Sequence, residues 1–551
     1  MMKNRFLITV FILIFSSTII GGYVHHRNRQ STEPAQVQTH SDVENSFIEA
    51  YRLIENYYNG NIDAEALTKL SVQGMLHALD PHSNFFDKRE FYEMQSEQQS
   101  RFYGIGVTIN RRNGRVYVLS AIEGTPAERA GLRYGDAIIA VDDQPSSDWS
   151  TEEVLKRVRG PRGEPVELTI ERAGEPRSLK FKIIRDAVPF PAIRNTFMIR
   201  PGVGYIALTG GFNSTTDDEL SEAIKNLRRQ GMGQLVLDLR NNPGGLLDQA
   251  IAVAEKFLPA NQKLLTVRGR EFPEREFKSR NTSPEDMPLV VLINRGTASS
   301  SEIVAGAIQD HDRGLVVGET SFGKGLVQTV FRMPFGTGLL LTTAKYYTPA
   351  GRLIQREYVG SSFYDYYTQR YASVADSTLQ TLPRRGEALR TDLGRTVYGG
   401  GGITPDIEVK SPEGDPIRAQ LFGATFEFAR QVAAGRIDGL ESYKITKTKY
   451  NHKLRGDEFP ITDRVIAAFR DFLQKSQQFK SIESHITPNL DYVRARIREE
   501  LVTAAYGTEV GNQVFLETDI QTIRAIEALP QARQLAESIQ PAMKFKDNYR
   551  D

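Results

Sequence analysis

Two residues in this 551-residue chain are placed for nucleophilic chemistry that needs no histidine. Ser299 lies in Asn294-Arg295-Gly296-Thr297-Ala298-Ser299-Ser300-Ser301-Glu302-Ile303, and Lys324 lies in Gly318-Glu319-Thr320-Ser321-Phe322-Gly323-Lys324-Gly325-Leu326-Val327-Gln328. The apolar run Leu289-Val290-Val291-Leu292-Ile293 precedes the serine, and Ile303, Val304, Ala307 and Ile308 form an apolar stripe after it. That pattern predicts strand, turn and helix, with Ser299 at or just before the helix N-terminus. Free backbone N–H groups and the helix dipole favour negative charge there, which suits a tetrahedral oxyanion. A serine at a helix start is equally an ordinary N-cap, and Ser300 and Ser301 compete for the role. A lysine acts as a base only when neutral. Its reference pKa is about 10.4, and useful bases sit near 7–8. Burial beside apolar residues and a helix N-terminus lowers it, and the glycines on either side allow close backbone approach. Without that burial Lys324 is a solvated residue at a hairpin tip.

Other residues could complete such a site. Gln328, four residues after the lysine, can hold its amine. Glu302, one helical turn after Ser299, can pair with the lysine or cap the helix. A glycine-rich turn, Asp238-Leu239-Arg240-Asn241-Asn242-Pro243-Gly244-Gly245-Leu246-Leu247, ends a second buried strand. The N–H groups of Gly244 or Gly245, with that of Ser300, could form an oxyanion hole, although Pro-Gly-Gly is also simply a tight turn. Gly318 to Lys324 nearly matches a phosphate-binding loop, but that motif needs Ser or Thr after the lysine. Gly325 stands there, so no nucleotide is expected. His311 offers a Ser–His alternative, and its expected place is the exposed end of the helix, where a histidine needs no catalytic explanation.

The rest of the chain must position these groups. Its length implies several domains. A net charge of +1 gives no electrostatic case for nucleic acid. There is no cysteine, which excludes disulfides and thiolate catalysis. Lys3 and Arg5 precede an apolar run of 19 residues, Phe6 to Val24, near the minimum to span a bilayer. The charge pattern predicts an uncleaved anchor with the amino end inside and the body outside; a cleaved secretory signal is the alternative, and both export the body. Residues 25–41 are polar and read as a linker. Residues 42–100 are helical in pattern with no visible chemistry, 101–188 change to short strands, and 189–410 alternate strands and helices. The continuous apolar strands Leu235–Leu239 and Leu289–Ile293 predict a sheet covered on both faces. A Tyr- and Arg-rich insertion at about 357–396 reads as a surface excursion, and 411–551 as a separate helical domain.

Several motifs together carry a resemblance. They are Leu79-Asp80-Pro81-His82-Ser83, the strand-rich segment 101–188, the Asp238–Gly245 turn, Thr297–Ile303, Gly318–Gln328, Tyr347-Thr348-Pro349-x-Gly351-Arg352-x-Ile354-Gln355, and Gly402-Ile403-x-Pro405-Asp406. Over residues 43–410 the chain resembles the carboxy-terminal processing (tail-specific) proteases, serine peptidases with a PDZ domain and a Ser–Lys dyad. The resemblance implies a multidomain α+β architecture: an N-terminal helical segment, a β-barrel-like PDZ domain, an α/β protease core with a ClpP/crotonase-like sheet, and a C-terminal helical domain. It selects Ser299 as nucleophile, Lys324, 25 residues later, as base, and Gln328 as the residue that orients the lysine. Ser300 replaces the usual alanine, with little expected effect because only its N–H is needed. The insertion between Gln355 and Gly402 is a second departure.

The resemblance also supplies a substrate logic. Gly104-Ile105-Gly106-Val107 looks like the carboxylate-binding loop of a PDZ domain, with the peptide added beside a strand. Arg159 is a candidate for carrying a gating signal to the catalytic loop. The expected activity is an exported endopeptidase on the extracytoplasmic side of the cell envelope, anchored in the inner membrane. It would act on proteins with exposed C-termini and need no metal or cofactor. An adaptor protein and a homodimer are candidate partners. A PDZ-bearing binding protein with a silent dyad is the alternative, although both dyad residues are present.

Overall fold

The computed structural model describes residues 39–271, 273–358, 366–367, 386–411 and 414–547. The apolar run 6–24 lies outside them, and among the described residues no helix is long and apolar enough to cross a membrane. The chain divides into two compact units, one ending at Val72 and one beginning at Gln73. The first holds helix His40–Tyr57, started by a capping box in which Asp42 accepts the Thr39 N–H at 2.9 Å.

At the centre of the second unit is a six-stranded sheet. Val203–Leu208, Gln234–Asp238, Leu289–Ile293 and Leu315–Gly318 are parallel neighbours in that order. Ile193–Arg200 adds an antiparallel edge, and Ile407–Glu408 closes the other side. Val203–Leu208, Leu289–Ile293 and Leu315–Gly318 are buried along their whole length because both faces of the sheet are covered. Helices Thr216–Arg229, Leu247–Glu255 and Ser300–Asp310 bury Leu220, Ile224, Val253, Val304 and Ile308 on one face.

The other face is covered by the end of the chain. Leu516, Ala525, Ala528, Leu529 and Ala532 pack on Tyr205, Val236, Val290 and Val317. Helix Ile520–Asp547 is therefore a layer of the central sheet, which corrects the expectation that 411–551 stands apart. Helices Pro416–Ala433, Asp463–Lys475 and Leu490–Tyr506 do share a core of their own around Phe428, Phe469 and Ile497.

A smaller antiparallel sheet runs Val107–Arg112, Arg115–Ala121, Ala137–Val141, Pro165–Glu171 and Leu179–Ile184. Its core contains Ile105, Val118, Val154, Val158, Leu168 and Ile170. Phe426 packs edge-on against Tyr117 and Tyr134 at its back. Thr125 precedes helix Pro126–Ala130, but its hydroxyl bonds the carbonyls of Ile122 (2.6 Å) and Gly106 (3.1 Å) instead of capping the helix. A third sheet pairs Gly338–Tyr347 with both Leu326–Arg332 and Asn84–Phe86. That pairing brings the segment around His82 to the strand that follows Lys324.

This topology assembles the site. Gln234–Asp238, Leu289–Ile293 and Leu315–Gly318 are adjacent and parallel, so the turns after them all emerge at the carboxyl ends of the strands. Those turns carry Gly244–Gly245, Ser299 and Lys324.

Candidate active site

The serine turn and the glycine turn are stitched together. The Ala298 N–H donates to the Asn242 carbonyl (2.9 Å), the Thr297 hydroxyl to the Leu239 carbonyl (2.8 Å) and the Ser300 hydroxyl to the Gly245 carbonyl (2.9 Å). Ser299 is the N-cap of its helix, with φ 53 and ψ −116. A non-glycine residue held there is strained, as at functional sites where the surroundings over-determine the backbone. The Ser300 N–H is the first of the helix, while the next two donors, those of Ser301 and Glu302, turn back to the carbonyls of Ala298 (3.1 Å) and Ser299 (2.7 Å). Gly244 has φ +97, and a Cβ on it would lie 2.8 Å from the Ser299 Cβ and 2.9 Å from the Ser300 nitrogen. No side chain fits between the two turns. The Gly244 N–H donates to Asn242 Oδ1 at 2.9 Å, so Gly245 is the glycine whose donor that side chain leaves free.

Glu302 joins the serine to the lysine. Its carboxylate accepts four donors: the N–H groups of Ser299 (2.8 Å), Gly323 (2.6 Å) and Lys324 (2.8 Å) and the Ser321 hydroxyl (2.5 Å). The Ser321 oxygen itself accepts the Ile403 N–H (2.6 Å), so its proton must point to Glu302. Four donors fill the lone pairs of an ionised carboxylate. Full burial pushes the Glu302 pKa up, and these donors pull it back. Glu302 therefore holds the lysine by its backbone and not by its amine. The Tyr346 hydroxyl adds a second tie, 3.1 Å from the Ser299 carbonyl oxygen and 2.9 Å from that of Lys324.

The lysine side chain is largely buried. Its Nζ donates to Gln328 Oε1 at 2.7 Å, and Gln328 Nε2 donates to the His82 carbonyl at 2.7 Å. Burial lowers the Lys324 pKa from its ordinary value, against the carboxylates of Asp80 and Glu302, which raise it. Asp80 accepts the N–H groups of His82 (2.7 Å) and Ser83 (2.8 Å). Asp80 and His82 come from the helical stretch in which the sequence showed no chemistry. The insertion also departs from expectation: Tyr366 is buried (4 % exposed) against His82 and Phe322.

The remaining candidates fall elsewhere. His311 is buried, not exposed; its ring bonds Asp392 (2.7 Å) and the Lys263 carbonyl (2.6 Å) at the far end of the 11-residue helix from Ser299. That length is about 16 Å, which removes the Ser–His alternative. The Ile105 carbonyl accepts the Ala127 N–H (2.8 Å), and that of Gly106 accepts the Ile122 N–H (3.0 Å). Gly104 pairs with Asp186 in a two-stranded ribbon. Strand Val107–Arg112 is an edge strand, paired on one side only, with helix Thr151–Val158 packed nearby. Arg159 forms an ion pair with Glu97 (2.8 Å) and lies 4.6 Å over the Phe102 ring, so these partners are outside the turns that carry Ser299 and Lys324.

The sequence pattern of peptidase family S41 matches residues 202–362, and that of the PDZ domain matches residues 117–172. A carboxy-terminal-processing protease of Bartonella bacilliformis is 38% identical over 315 residues, covering 56% of this chain and 72% of that protein. The chain belongs to the carboxy-terminal processing proteases. It is a multidomain α+β serine-type peptidase with a PDZ domain. Another member of the family, the carboxyl-terminal-processing protease of Synechocystis sp., is 36% identical over 303 residues, 54% of this chain and 70% of its own. Among solved structures, the photosystem II D1 C-terminal processing protease is 28% identical, over 66% of this chain and 92% of its own, with a TM-score of 0.36.

Proposed function

We propose that Ser299 is the nucleophile and neutral Lys324 the general base of this peptidase. The Ser299 Oγ attacks the scissile carbonyl, forming a C–O bond, while its proton passes to Lys324 Nζ. The oxyanion is held by the N–H groups of Ser300 and Gly245. Collapse breaks the C–N bond; the lysine returns its proton to the departing amine and leaves an acyl-enzyme. Water then attacks, activated by the same amine, and releases the new carboxyl end. The observation that carries this reading is the buried Lys324 amine, bonded to Gln328 Oε1 at 2.7 Å, on a backbone tied to that of Ser299 through Glu302 and Tyr346. Gln328 aims the amine.

Substrate capture is assigned to the PDZ domain. Successive N–H groups of Ile105, Gly106 and Val107 would receive a terminal carboxylate, and the peptide would extend the sheet beside Val107–Arg112. The free edge of that strand supports this. Arg159, through Glu97, would report occupancy toward the core. The positive residues and apolar run at 3–24 support export and anchoring of the body outside the membrane.

Cleavage of an unfolded protein with a free carboxyl end tests the chemistry. The wild type and a His311→Asn variant should cut it, while Ser299→Ala and Lys324→Ala should not. Equal cleavage by all four proteins would reject the dyad.

A further inference from the structure

We infer that Tyr366 and Tyr367 are positioning residues for the lysine base, acting through His82; this rests on the reading of Lys324 given above. The argument starts at Gln328. An amide side chain can present either its oxygen or its nitrogen to the lysine. The His82 carbonyl decides which, because a carbonyl can only accept. It takes Gln328 Nε2 at 2.7 Å and so turns Oε1 toward Lys324 Nζ. An acceptor there binds an N–H of the neutral amine and leaves its lone pair for the serine proton. The orientation of the base therefore depends on where the His82 carbonyl stands.

The two tyrosines fix that residue from its side chain. Nδ1 of His82 lies 3.0 Å from the Tyr367 hydroxyl, and Nε2 lies 2.9 Å from that of Tyr366. Tyr367 donates its proton to the Pro81 carbonyl (2.9 Å), so its oxygen accepts from Nδ1–H. Gln355 Nε2 donates to the Tyr366 oxygen (3.2 Å), and the Tyr366 proton is then given to His82 Nε2. Every hydrogen-bonding group of the neutral Nδ1–H imidazole is satisfied, and a second ring proton would meet a donor.

The charges agree. Arg356 faces the ring as a cation and Asp80 as an anion, and Lys324 adds a positive charge only in its protonated form; Arg356 stacks 3.9 Å over the Tyr366 ring and 3.8 Å over Phe322. Burial first, then the charge that Lys324 carries when protonated, pushes the His82 pKa down to about 3. The tyrosine rings pack edge-on at centroid distances of 5.2 and 5.9 Å. The imidazole is thus a neutral, pinned strut.

The test uses the full chain with Tyr366→Phe, Tyr367→Phe and the double variant. The substrate is an internally quenched peptide with a free carboxyl end, and kcat, KM and the acid limb of the pH profile are measured. In the double variant kcat should fall about ten- to a hundredfold through misplacement of the amine, with KM unchanged and smaller losses in the singles. The acid limb should move to lower pH, because an ammonium that loses a fixed acceptor is disfavoured. Wild-type kcat and acid limb in the double variant would overturn the inference. A fall in kcat with an unmoved limb would also overturn it, since that marks only a smaller folded fraction. Lys324→Ala separates the two claims: if it cleaves normally, the lysine reading fails; if it is inactive and the tyrosine variants behave as wild type, only this inference fails.

Discussion

Replacing Lys324 with methionine should remove a defined pH-dependent contribution from the protein's stability. Methionine keeps an unbranched stem in the buried site and removes the amine. It leaves Gln328 Oε1 without its donor, a pH-independent cost of about 1–3 kcal/mol. The wild-type lysine carries a different, pH-dependent cost, because burial lowers its pKa from the ordinary 10.5. Between the lowered folded value and 10.5 the unfolded chain binds one proton more than the folded one. Unfolding free energy of the wild type therefore rises with pH across that window, relative to the variant, by about 1.4 kcal/mol per pH unit. Below the folded pKa the difference is flat, and there the buried ammonium weighs fully against the wild type. Urea unfolding of both proteins at stepped pH from neutral upward measures it. A difference that stays flat up to 10.5 would mean an ordinary lysine, and one that falls with rising pH would mean a stabilised ammonium; either refutes the reasoning.

Glu302→Gln replaces an acceptor of four donors with a group that has only one acceptor oxygen. It should lower kcat at least about tenfold and cost about 1.5–3 kcal/mol, read by steady-state kinetics and urea unfolding. Gly106→Ala would place a Cβ 2.4 Å from the Thr125 Cβ at φ +82. It should raise KM for peptides with a free carboxyl end and have less effect on the same peptides amidated. Arg240→Met should destabilise the protein by about 3–5 kcal/mol, because Arg240 bridges the buried carboxylates of Asp238 (2.6 Å) and Asp519 (2.6 Å).

The parts of the site that the sequence displayed share one property: the side chain acts near its own motif. Ser299 follows an apolar strand and opens an apolar-striped helix, so its place could be derived from periodicity. Gln328 meets Lys324 four residues away along the chain. Glu302 was half legible; its cap on Ser299 follows from one-turn spacing, but its grip on the Gly323 and Lys324 backbone is a tertiary fact. His82 was hidden because it acts through a backbone carbonyl on a partner 246 residues distant, and a carbonyl has no residue-type signature. Tyr366 was mistaken for surface because a tyrosine-rich stretch reads as polar-tipped, yet its hydroxyl is satisfied inside by His82 and Gln355. The last helix was separated from the sheet it covers because Ala525, Ala528 and Ala532 make a stripe of small residues. Alanine permits close approach to the sheet but barely marks which face does so.

The chain contains no cysteine, so a thiol placed at position 324 would be the only one in it. Lys324→Cys followed by bromoethylamine installs an amine on a stem of lysine's length with sulfur in place of one methylene. Sulfur withdraws electron density and makes the amine more acidic. The Cys variant should be inactive. The aminoethylated protein should regain cleavage, with the acid limb of kcat/KM shifted to lower pH than the wild type's. A folded, fully aminoethylated protein that cleaves nothing, or one whose limb coincides with the wild type's, would contradict the assignment of Lys324 as the base.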